Sequence, residues 1–366
     1  MLPIAQHAKR TWKMNANTQL DASTLGLNEQ RLRALAHRDT LETCSLEQLR
    51  DVQLRRLRWS LKHAWRNVPW YRHQFEAQGL HPEDLQQLED LARFPFIGNA
   101  ELQHHYPFEL FAVPAHQVVR LQACNDGSTR SPVTGYTRND QEVWATLVAR
   151  SLRAAGAQAG DRLYVLGGQD ALSASNGIQL GAERLNCALI PLAARQASQQ
   201  VRLLCDFQPQ MLIATPSHLL ALANELERQN IAASALPLRM ALIGPQPCSS
   251  SLRQELEQRL GIQTLTLYGV PALMDPGIGM ECLETRDGVT LWEDHFYPEI
   301  IDPDSGTPLP DGSFGEVVLT SLSREALPMI RYRTGDIGRL LPGTARSMRR
   351  LERLTGNSAT TLRQSA

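Results

Sequence analysis

The stretch MLIATPSHLLALANELERQ, residues 211–229, decides the fold class of this chain. Its apolar run MLIA is typical of a strand buried on both faces, and a helical pattern follows it from Pro216. The same strand-then-helix order repeats between residues 140 and 269. Such alternation predicts right-handed crossovers and a largely parallel sheet that helices cover on both faces. The sequence therefore predicts an α/β fold.

The carboxyl ends of these strands are the expected ligand site, because open α/β sheets bind ligands there. After residue 285 the pattern changes to two β-rich runs around Pro, Gly and Asp turns, which predicts an antiparallel or mixed β subdomain. The expected strand ends are Gly167 and Gly168, Thr215, Gly244, and Tyr268 and Gly269.

Composition limits the functions that the chain can have. The 366 residues are 42% hydrophobic and carry a formal net charge of -1, which excludes a disordered chain and a basic nucleic-acid footprint. The start lacks the apolar core of a signal peptide, and no later stretch is long and apolar enough to span a bilayer. We therefore expect a cytoplasmic protein with no nucleic-acid or membrane partner.

The first regular helix is predicted after an irregular N-terminal lead, residues 1–44. Ser45 and Gln48 have the spacing of a capping box, and Leu57 and Leu61 share one face of the helix that follows. Lysine occurs only at positions 9, 13 and 62, so chemistry further along the chain has no lysine of its own.

Five long segments closely resemble the phenylacetate-CoA ligase family of adenylate-forming enzymes. They are LRWSLKHAWRNVPWYRHQF, GAERL, YGVPALMDPGIGMEC, WEDHFYPEIIDPDSGTPLPDGSFGE and REALPMIRYRTGDIGRLLPGTARSMRR. The resemblance implies an AMP-binding domain over residues 45–358, with parallel sheets flanked by helices and a β-rich subdomain. Residues 359–366 would be a short tail, and the family's small C-terminal lid domain is expected to be absent.

The family's chemistry makes clear physical demands. A carboxylate attacks the α-phosphate of ATP, pyrophosphate leaves, and the thiol of coenzyme A opens the acyl adenylate. Charge on the phosphates must be offset by a loop lysine and by magnesium, since adenylyl transfer depends on positioning and electrostatic stabilisation. A lid lysine serves the first step.

The phosphate loop of the family corresponds to LQACNDGSTRSPVTGYT, residues 121–137. Asp126 stands where the family places a glycine, and its carboxylate repels phosphate. Arg130 stands where the family places lysine, and a guanidinium still pairs with phosphate oxygens in a different geometry. The resemblance implies nucleotide contacts from Ser128, Thr129 and Arg130, and leaves open whether they hold phosphate productively.

The family's magnesium-linked acid is replaced by Ala272, which cannot ligate a hard cation. Asp275 either takes over this role or is a solvated turn residue, and we expect the turn residue. No metal ligand is predicted, magnesium binding is doubtful, and no catalytic residue is assigned.

Other nucleotide contacts are implied by segments that the chain keeps. Gln246 replaces a glutamate near the adenine and retains a hydrogen-bonding amide. Tyr268 and Gly269 lie in the YG motif, Asp336 is in the position that accepts hydrogen bonds from the ribose, and Arg339 keeps its matching position. ATP or AMP is thus the candidate nucleotide.

Two further segments bear on the ligand. Residues 167–177, GGQDALSASNG, replace a segment in which the family carries aromatic residues near the acyl pocket, so a small aromatic acid is as far as the substrate can be specified. WEDHFYPE is intact, and its acids and His295 serve either a site or structural hydrogen bonds; we favour structural bonds.

The end of the chain departs from the family hinge. After Gly356–Ser358 the expected aspartates are replaced by Ala359 and Thr360.

Together these changes predict a catalytically impaired pseudoenzyme that acts as a binding or partner protein and does not use coenzyme A. The alternative is an aryl-acid adenylating enzyme that borrows a lid from another polypeptide; a decaying gene product is the third reading.

Loss of the lid is expected to expose an apolar patch rimmed by arginines, and such patches usually mark contact surfaces. The expected partner is an intact ligase paralogue or a second copy of the chain. Alternatively, residues 340–354 fold back as a helix that covers its own leucines. The residues of the predicted patch are Arg331, Arg333, Arg339, Arg346, Arg349, Arg350, Leu340, Leu341, Met348 and Leu351.

Overall fold

The computed structural model describes residues 38–123, 132–167, 170–190, 196–244 and 248–354, without the side chains of residues 170–175. Its helices are α1 (Leu46–Asn67), α2 (Pro69–Ala77), α3 (Asn99–His104), α4 (Arg138–Ala154), α5 (Asp170–Arg184), α6 (Ala197–Phe207), α7 (Pro216–Arg228) and α8 (Ser250–Leu260). Short 3₁₀ turns lie at Thr40–Glu42, Pro82–Asp84, Leu88–Arg93, Ala115–Gln117 and Ala233–Ala235.

The strands fall into a first group of seven and a second group of six. The first group is β1 (Arg120–Ala123), β2 (Val133–Tyr136), β3 (Arg162–Val165), β4 (Ala188–Ile190), β5 (Met211–Ala214), β6 (Met240–Ile243) and β7 (Gln263–Val270). The second group is β8 (Met274–Glu281), β9 (Val289–Leu291), β10 (Phe296–Ile301), β11 (Gly315–Ser321), β12 (Tyr332–Leu341) and β13 (Arg350–Arg353).

One sheet of eleven strands organises the described part of the chain. Its order is β10-β11-β12-β13-β9-β8-β7-β6-β5-β3-β4. Strands β3 to β7 run parallel to one another, and every pairing from β7 to β10 is antiparallel. The predicted α/β fold with a β-rich subdomain is thus confirmed. Strand β7 belongs to both halves, so its carboxyl end lies where they meet.

The parallel strands are buried on both faces, as their continuous apolar runs predict. In β3, Leu163 belongs to the larger hydrophobic core, whereas Tyr164 belongs to a second core under α6, α7 and α8. Alternate residues of a strand point to opposite faces, so one short strand supplies both cores.

The predicted capping box at the start of α1 is confirmed. Ser45 Oγ accepts a hydrogen bond from the Gln48 backbone N–H at 3.2 Å, and Gln48 Oε1 accepts one from the Ser45 N–H at 3.0 Å. Farther along α1, Ser60 Oγ donates to the carbonyl of Ser321 at 2.7 Å, which fixes the helix against β11. Within the ranges that the structure describes, no helix is long and apolar enough to cross a membrane.

The predicted lead, residues 1–44, is described only from residue 38. Asp39 lies 3.0 Å from the Arg150 guanidinium, and Glu42 lies 2.5 Å from that of Arg346. Glu42 is almost fully buried by these contacts. The end of the lead therefore packs against α4 and the segment before β13. The predicted tail, residues 359–366, and the hinge residues Gly356–Ser358, Ala359 and Thr360 lie outside the described residues.

Candidate functional site

The candidate site lies at the carboxyl end of β7, where the predicted YG motif is found. The Tyr268 hydroxyl donates a hydrogen bond to Asp336 Oδ2 at 2.8 Å. Burial raises the pKa of Tyr268, and the negative charge of Asp336 raises it further. Tyr268 is therefore a neutral donor at physiological pH, and the structure brings these two predicted site residues together.

The second oxygen of the Asp336 carboxyl, Oδ1, is available to a ligand. Its side chain is about one third exposed, and Arg353 Nη1 approaches the same Oδ2 atom at 3.4 Å. The Arg353 guanidinium also lies 4.8 Å from the centre of the Tyr268 ring. Among the described residues, no hydrogen bond reaches Asp336 Oδ1. This oxygen can accept hydrogen bonds from a ligand.

A cavity of about 380 Å³ adjoins this pair through Arg353. It lies between the start of α8, β7 and β13, and it is lined by both polar and apolar groups, among them Ser249, Thr266 and Arg353. The cavity therefore offers space beside Arg353, the residue that contacts both Tyr268 and Asp336.

Arg339 is not part of that pair. Its guanidinium donates two hydrogen bonds to Glu352 Oε2, at 3.0 and 2.8 Å, and it lies over the Phe314 ring at 4.6 Å. Strands β12 and β13 place Arg339 directly opposite Glu352, which explains the contact. A role for Arg339 in ligand binding would require it to leave Glu352.

Gly269, the neighbour of Tyr268, is packed against Asp275 across the β7–β8 hairpin. A Cβ atom at position 269 would overlap Asp275 Oδ1 and come within 2.9 Å of the Asp275 Cα. Only glycine therefore fits at position 269 while this packing is kept.

The expectation that Asp275 is a solvated turn residue is wrong. The residue is only 9% exposed, because β8 pairs with both β7 and β9 and carries Asp275 into the core. Burial raises the pKa of Asp275 to about 6. Within the described ranges, no hydrogen bond or ion pair reaches its carboxyl group.

Ala272 lies in the turn between β7 and β8 and is buried beside Leu273 in the larger core. Its methyl group provides no ligand atom at the position where the resembling family has an acid. In the part of the chain that the structure describes, no three His, Cys, Asp or Glu side chains lie close enough together to hold a metal ion.

Four predicted site residues cannot be placed. Ser128, Thr129 and Arg130 of the phosphate loop and Gln246 lie outside the described residues. Asp126 also falls in the first of these gaps.

An aromatic stack beside the candidate site was missed by the sequence reasoning. The Tyr136 and Trp144 rings are parallel, with centroids 4.8 Å apart, and the Trp144 indole N–H donates to the Pro276 carbonyl at 2.6 Å. The Arg324 guanidinium covers the other face of Tyr136 at 4.2 Å. Tyr136 ends β2 and Trp144 lies in the helix that follows, so the GYT motif and the apolar face of α4 were the only signals in the sequence.

The acids of WEDHFYPE are bound within the protein, as the structural interpretation predicted. The Arg349 Nε donates to Glu293 at 2.9 Å, the Arg150 Nη1 donates to Asp294 at 2.8 Å, and the Arg331 Nη2 donates to Glu299 at 2.9 Å. His295 Nδ1 lies 2.7 Å from Ser323 Oγ. Burial lowers the pKa of His295 to about 4.

The predicted arginine-rimmed apolar patch does not exist as an exposed surface. Strands β12 and β13 lie inside the sheet, so Leu340, Met348 and Leu351 are at most 1% exposed. Arg331 and Arg346 are buried as well, because Glu299 and Glu42 neutralise them. The alternative helix over residues 340–354 is also wrong, since residues 350–353 form β13.

Comparison with known proteins assigns the family. Phenylacetate-coenzyme A ligase of Pseudomonas putida is 54% identical over 320 residues, which are 87% of this chain and 73% of that protein. The enzyme of the same name from Escherichia coli (strain K12) is 50% identical over 321 residues, 87% of this chain and 74% of that protein. No protein-family model matches the chain.

Solved structures agree with this assignment. The crystal structure of 2-hydroxyisobutyryl-CoA ligase in the postadenylation state, in complex with 2-HIB-AMP, superposes with a TM-score of 0.79 at 26% identity. The match covers 85% of this chain and 68% of that one. The fold, the motifs and the identities together show that this chain belongs to the phenylacetate-coenzyme A ligase family.

Proposed function

We propose that this protein is a catalytically impaired member of its family that binds an adenylate and acts as a binding or partner protein. The observation that carries the proposal is a contrast at the carboxyl end of β7. Tyr268 and Asp336 are held together at 2.8 Å at the end of β7, whereas Ala272 fills the position of the family's magnesium-linked acid a few residues later.

Nucleotide binding is supported by Asp336 Oδ1, which accepts no hydrogen bond from the residues that the structure describes. A carboxylate with one oxygen fixed and one open is suited to accept a hydrogen bond from a ribose hydroxyl. The cavity of about 380 Å³ beside Arg353 offers room for a base. AMP or ATP is therefore the proposed nucleotide, with a small aromatic acid as its acyl partner.

A relative of this chain binds coenzyme A. A second structure of 2-hydroxyisobutyryl-CoA ligase, 26% identical to this chain, is a complex with both 2-HIB-AMP and CoA. That relative binds CoA together with an adenylate, so the expectation that this chain does not use CoA gains no support from its relatives.

Magnesium does not fit the residues found here. A hard cation needs several oxygen ligands, and an alanine methyl group supplies none. Asp275 is a single buried carboxyl whose raised pKa disfavours the charged form that a metal requires. Without this charge compensation, the triphosphate of ATP is poorly neutralised, and adenylation is expected to be slow.

An exchange assay tests the proposal. Incubation with phenylacetate, ATP, magnesium and labelled pyrophosphate is expected to give no exchange of label into ATP. Ala272→Glu should tighten magnesium-dependent ATP binding, and Ala272→Gln is the matched control because it adds the same bulk without the charge. Robust metal-dependent exchange by the unmodified protein would contradict the proposal.

The runner-up is an aryl-acid adenylating enzyme that borrows a lid from another polypeptide. The observation that favours it is the position of Asp275, a carboxyl three residues after Ala272 and in contact with Gly269. In this case exchange would depend on another polypeptide that supplies a lid, such as an intact ligase paralogue. Addition of the full-length paralogue to the exchange assay separates the two functions.

A further inference from the structure

We infer that Asp275 selects the ring substituent of the aromatic acid, and that the acid carries a hydroxyl or amino hydrogen-bond donor on its ring. The inference rests on the proposed function, because it assumes that the adenylate of an aromatic acid binds at the end of β7.

Asp275 lies next to the residues of the candidate site. Its Oδ1 lies directly over Gly269, the residue after Tyr268, and Tyr268 is hydrogen-bonded to Asp336, the proposed ribose contact. In sheets of this type, ligands bind at the carboxyl ends of the parallel strands. Asp275 therefore lies beside the proposed cleft, although it enters from the neighbouring antiparallel strand.

The surroundings of Asp275 are apolar and aromatic. The next residue, Pro276, receives the indole N–H of Trp144, so this donor is already used. A Cβ at Gly277 would touch Trp144 Cδ1 at 3.3 Å, and one at Gly177 would overlap the same indole. Glycines thus allow close packing around Trp144, which is itself fully buried, so this apolar wall lies behind Asp275.

The carboxyl of Asp275 is a polar group in these otherwise apolar surroundings. No hydrogen bond or ion pair within the described part of the chain satisfies it, although the residue is more than nine-tenths buried. Buried polar groups almost always have a partner, because leaving one unpaired is costly. A ligand that brings an O–H or N–H group to this point would supply that partner.

A hydroxyl or amino group on the aromatic ring is a better partner for the Asp275 carboxyl than a metal ion is. A divalent cation needs several oxygen ligands, and no group of three His, Cys, Asp or Glu side chains within the described residues could hold one. A hydroxyl or amino group needs only one acceptor. A site built around such a hydrogen bond also strongly rejects analogues that lack the donor.

The test is a set of calorimetric titrations of the AMP-saturated protein. The probes are 4-hydroxyphenylacetate and 4-aminophenylacetate, compared with 4-methylphenylacetate and 4-methoxyphenylacetate, which have similar shapes but no donor; the 3-substituted acids are included. The donor-bearing acids are expected to bind at least about tenfold more tightly, the scale of one hydrogen bond to a charged group. Asp275→Gly is expected to abolish the preference.

Asp275→Asn keeps the size of the side chain and provides a second variant if Asp275→Gly does not fold. It should reduce the preference for donors, because the amide is a weaker acceptor than a carboxylate. Equal affinities for hydroxy and methoxy acids, an unchanged preference in both variants, or a preference that appears only with magnesium would each overturn the inference.

The outcome separates the two proposals. Failure of the unmodified protein to bind AMP would refute the proposed function and the inference together. Binding of AMP without any preference among the acids would refute only the role of Asp275.

Discussion

The hydroxyl of Tyr268 on β7 donates to the carboxylate of Asp336 on β12, although three strands separate β7 from β12 in the sheet order. In a flat sheet, four spacings of about 4.8 Å would place the two strands roughly 19 Å apart. A tyrosine and an aspartate cannot bridge that distance. The β-rich half of the sheet is therefore strongly curled, and this curl brings two distant segments into one site.

Removal of this bond should weaken both folding and nucleotide binding. Tyr268→Phe leaves the Asp336 carboxylate with Arg353 as its remaining described partner. A hydrogen bond to a charged group contributes about 1.5 to 3 kcal/mol, so we expect a comparable loss in the free energy of unfolding. Urea unfolding measures this loss, and titration with AMP measures the accompanying loss of affinity.

Tyr164→Phe is the matched control. Tyr164 is as buried as Tyr268, but its hydroxyl has no hydrogen-bond partner in the described structure. Its removal should cost little or even stabilise the protein, and AMP affinity should not change. Equal destabilisation by the two substitutions would show that the Tyr268–Asp336 bond has no special role.

The Arg331–Glu299 pair should behave as a buried ion pair rather than as a docking surface. Arg331 is 2% exposed, and its Nη1 also donates to the carbonyls of Ala92 and Phe94 at 2.7 and 2.8 Å. Arg331→Met leaves a buried carboxylate without its partner and should cost about 3 to 5 kcal/mol in the free energy of unfolding.

The double variant Arg331→Met/Glu299→Leu tests the cause of that cost. It should be less destabilised than the sum of the two single variants, because no unpaired charge remains. Chemical unfolding of all four proteins gives the coupling energy. Additive effects would contradict the buried pair.

His295 should make the protein less stable in mild acid. Burial lowers its folded-state pKa to about 4 from 6.5, with Arg56 and Arg150 acting in the same direction and Asp294 against them. The unfolded chain therefore takes up a proton before the native protein does. The stabilisation is complete above pH 6.5 and is lost as the pH falls towards 4, by about 3 kcal/mol.

Unfolding titrations of the unmodified protein and of His295→Gln at pH 7.5 and 4.5 measure this effect. The difference between the two proteins should change with pH in the stated direction. A difference that stays constant over this range would mean that folding does not lower the pKa of His295.

Asp275 should show the opposite dependence. Its folded-state pKa of about 6 lies above the ordinary value of 3.8, so the penalty is absent below pH 3.8 and complete once the pH has risen through 6. Asp275→Asn should raise the free energy of unfolding by about 3 kcal/mol at pH 7.5 and have little effect at pH 4. Destabilisation by this substitution at pH 7.5 would argue against an unpaired carboxyl.

A gain in stability from Asp275→Asn would also carry a functional meaning. Residues that reduce stability persist where a site needs them, and stabilising replacements there commonly cost function. The stability measurement and the ligand titrations thus examine the same carboxyl independently.

The parts of the fold that depend on local pattern were predictable from the sequence. The apolar runs and helical periods between residues 140 and 269 are local, as is the Ser45–Gln48 capping box, and the structure contains them. The YG motif and Asp336 were also identified as site residues, although their direct contact was not.

The errors concern burial that depends on ion-pair and strand partners rather than on the local segment. Arg346 was expected on a patch that loss of the lid exposes, yet Glu42 neutralises it across 304 positions. Asp275 lies in MDPG, which has the composition of a turn, but pairing with β7 and β9 makes that segment a buried strand. Burial of a charge depends on such pairings, and the local sequence does not contain them.

The most direct test of the proposed function is calorimetric titration with AMP and with ATP, each with and without magnesium, in the presence of phenylacetate. The predicted result is AMP binding that does not depend on the metal and is lost in Asp336→Ala, with ATP binding that magnesium does not strengthen and no release of pyrophosphate. ATP binding that requires magnesium and is followed by pyrophosphate release would contradict the proposal that this protein binds an adenylate without making one.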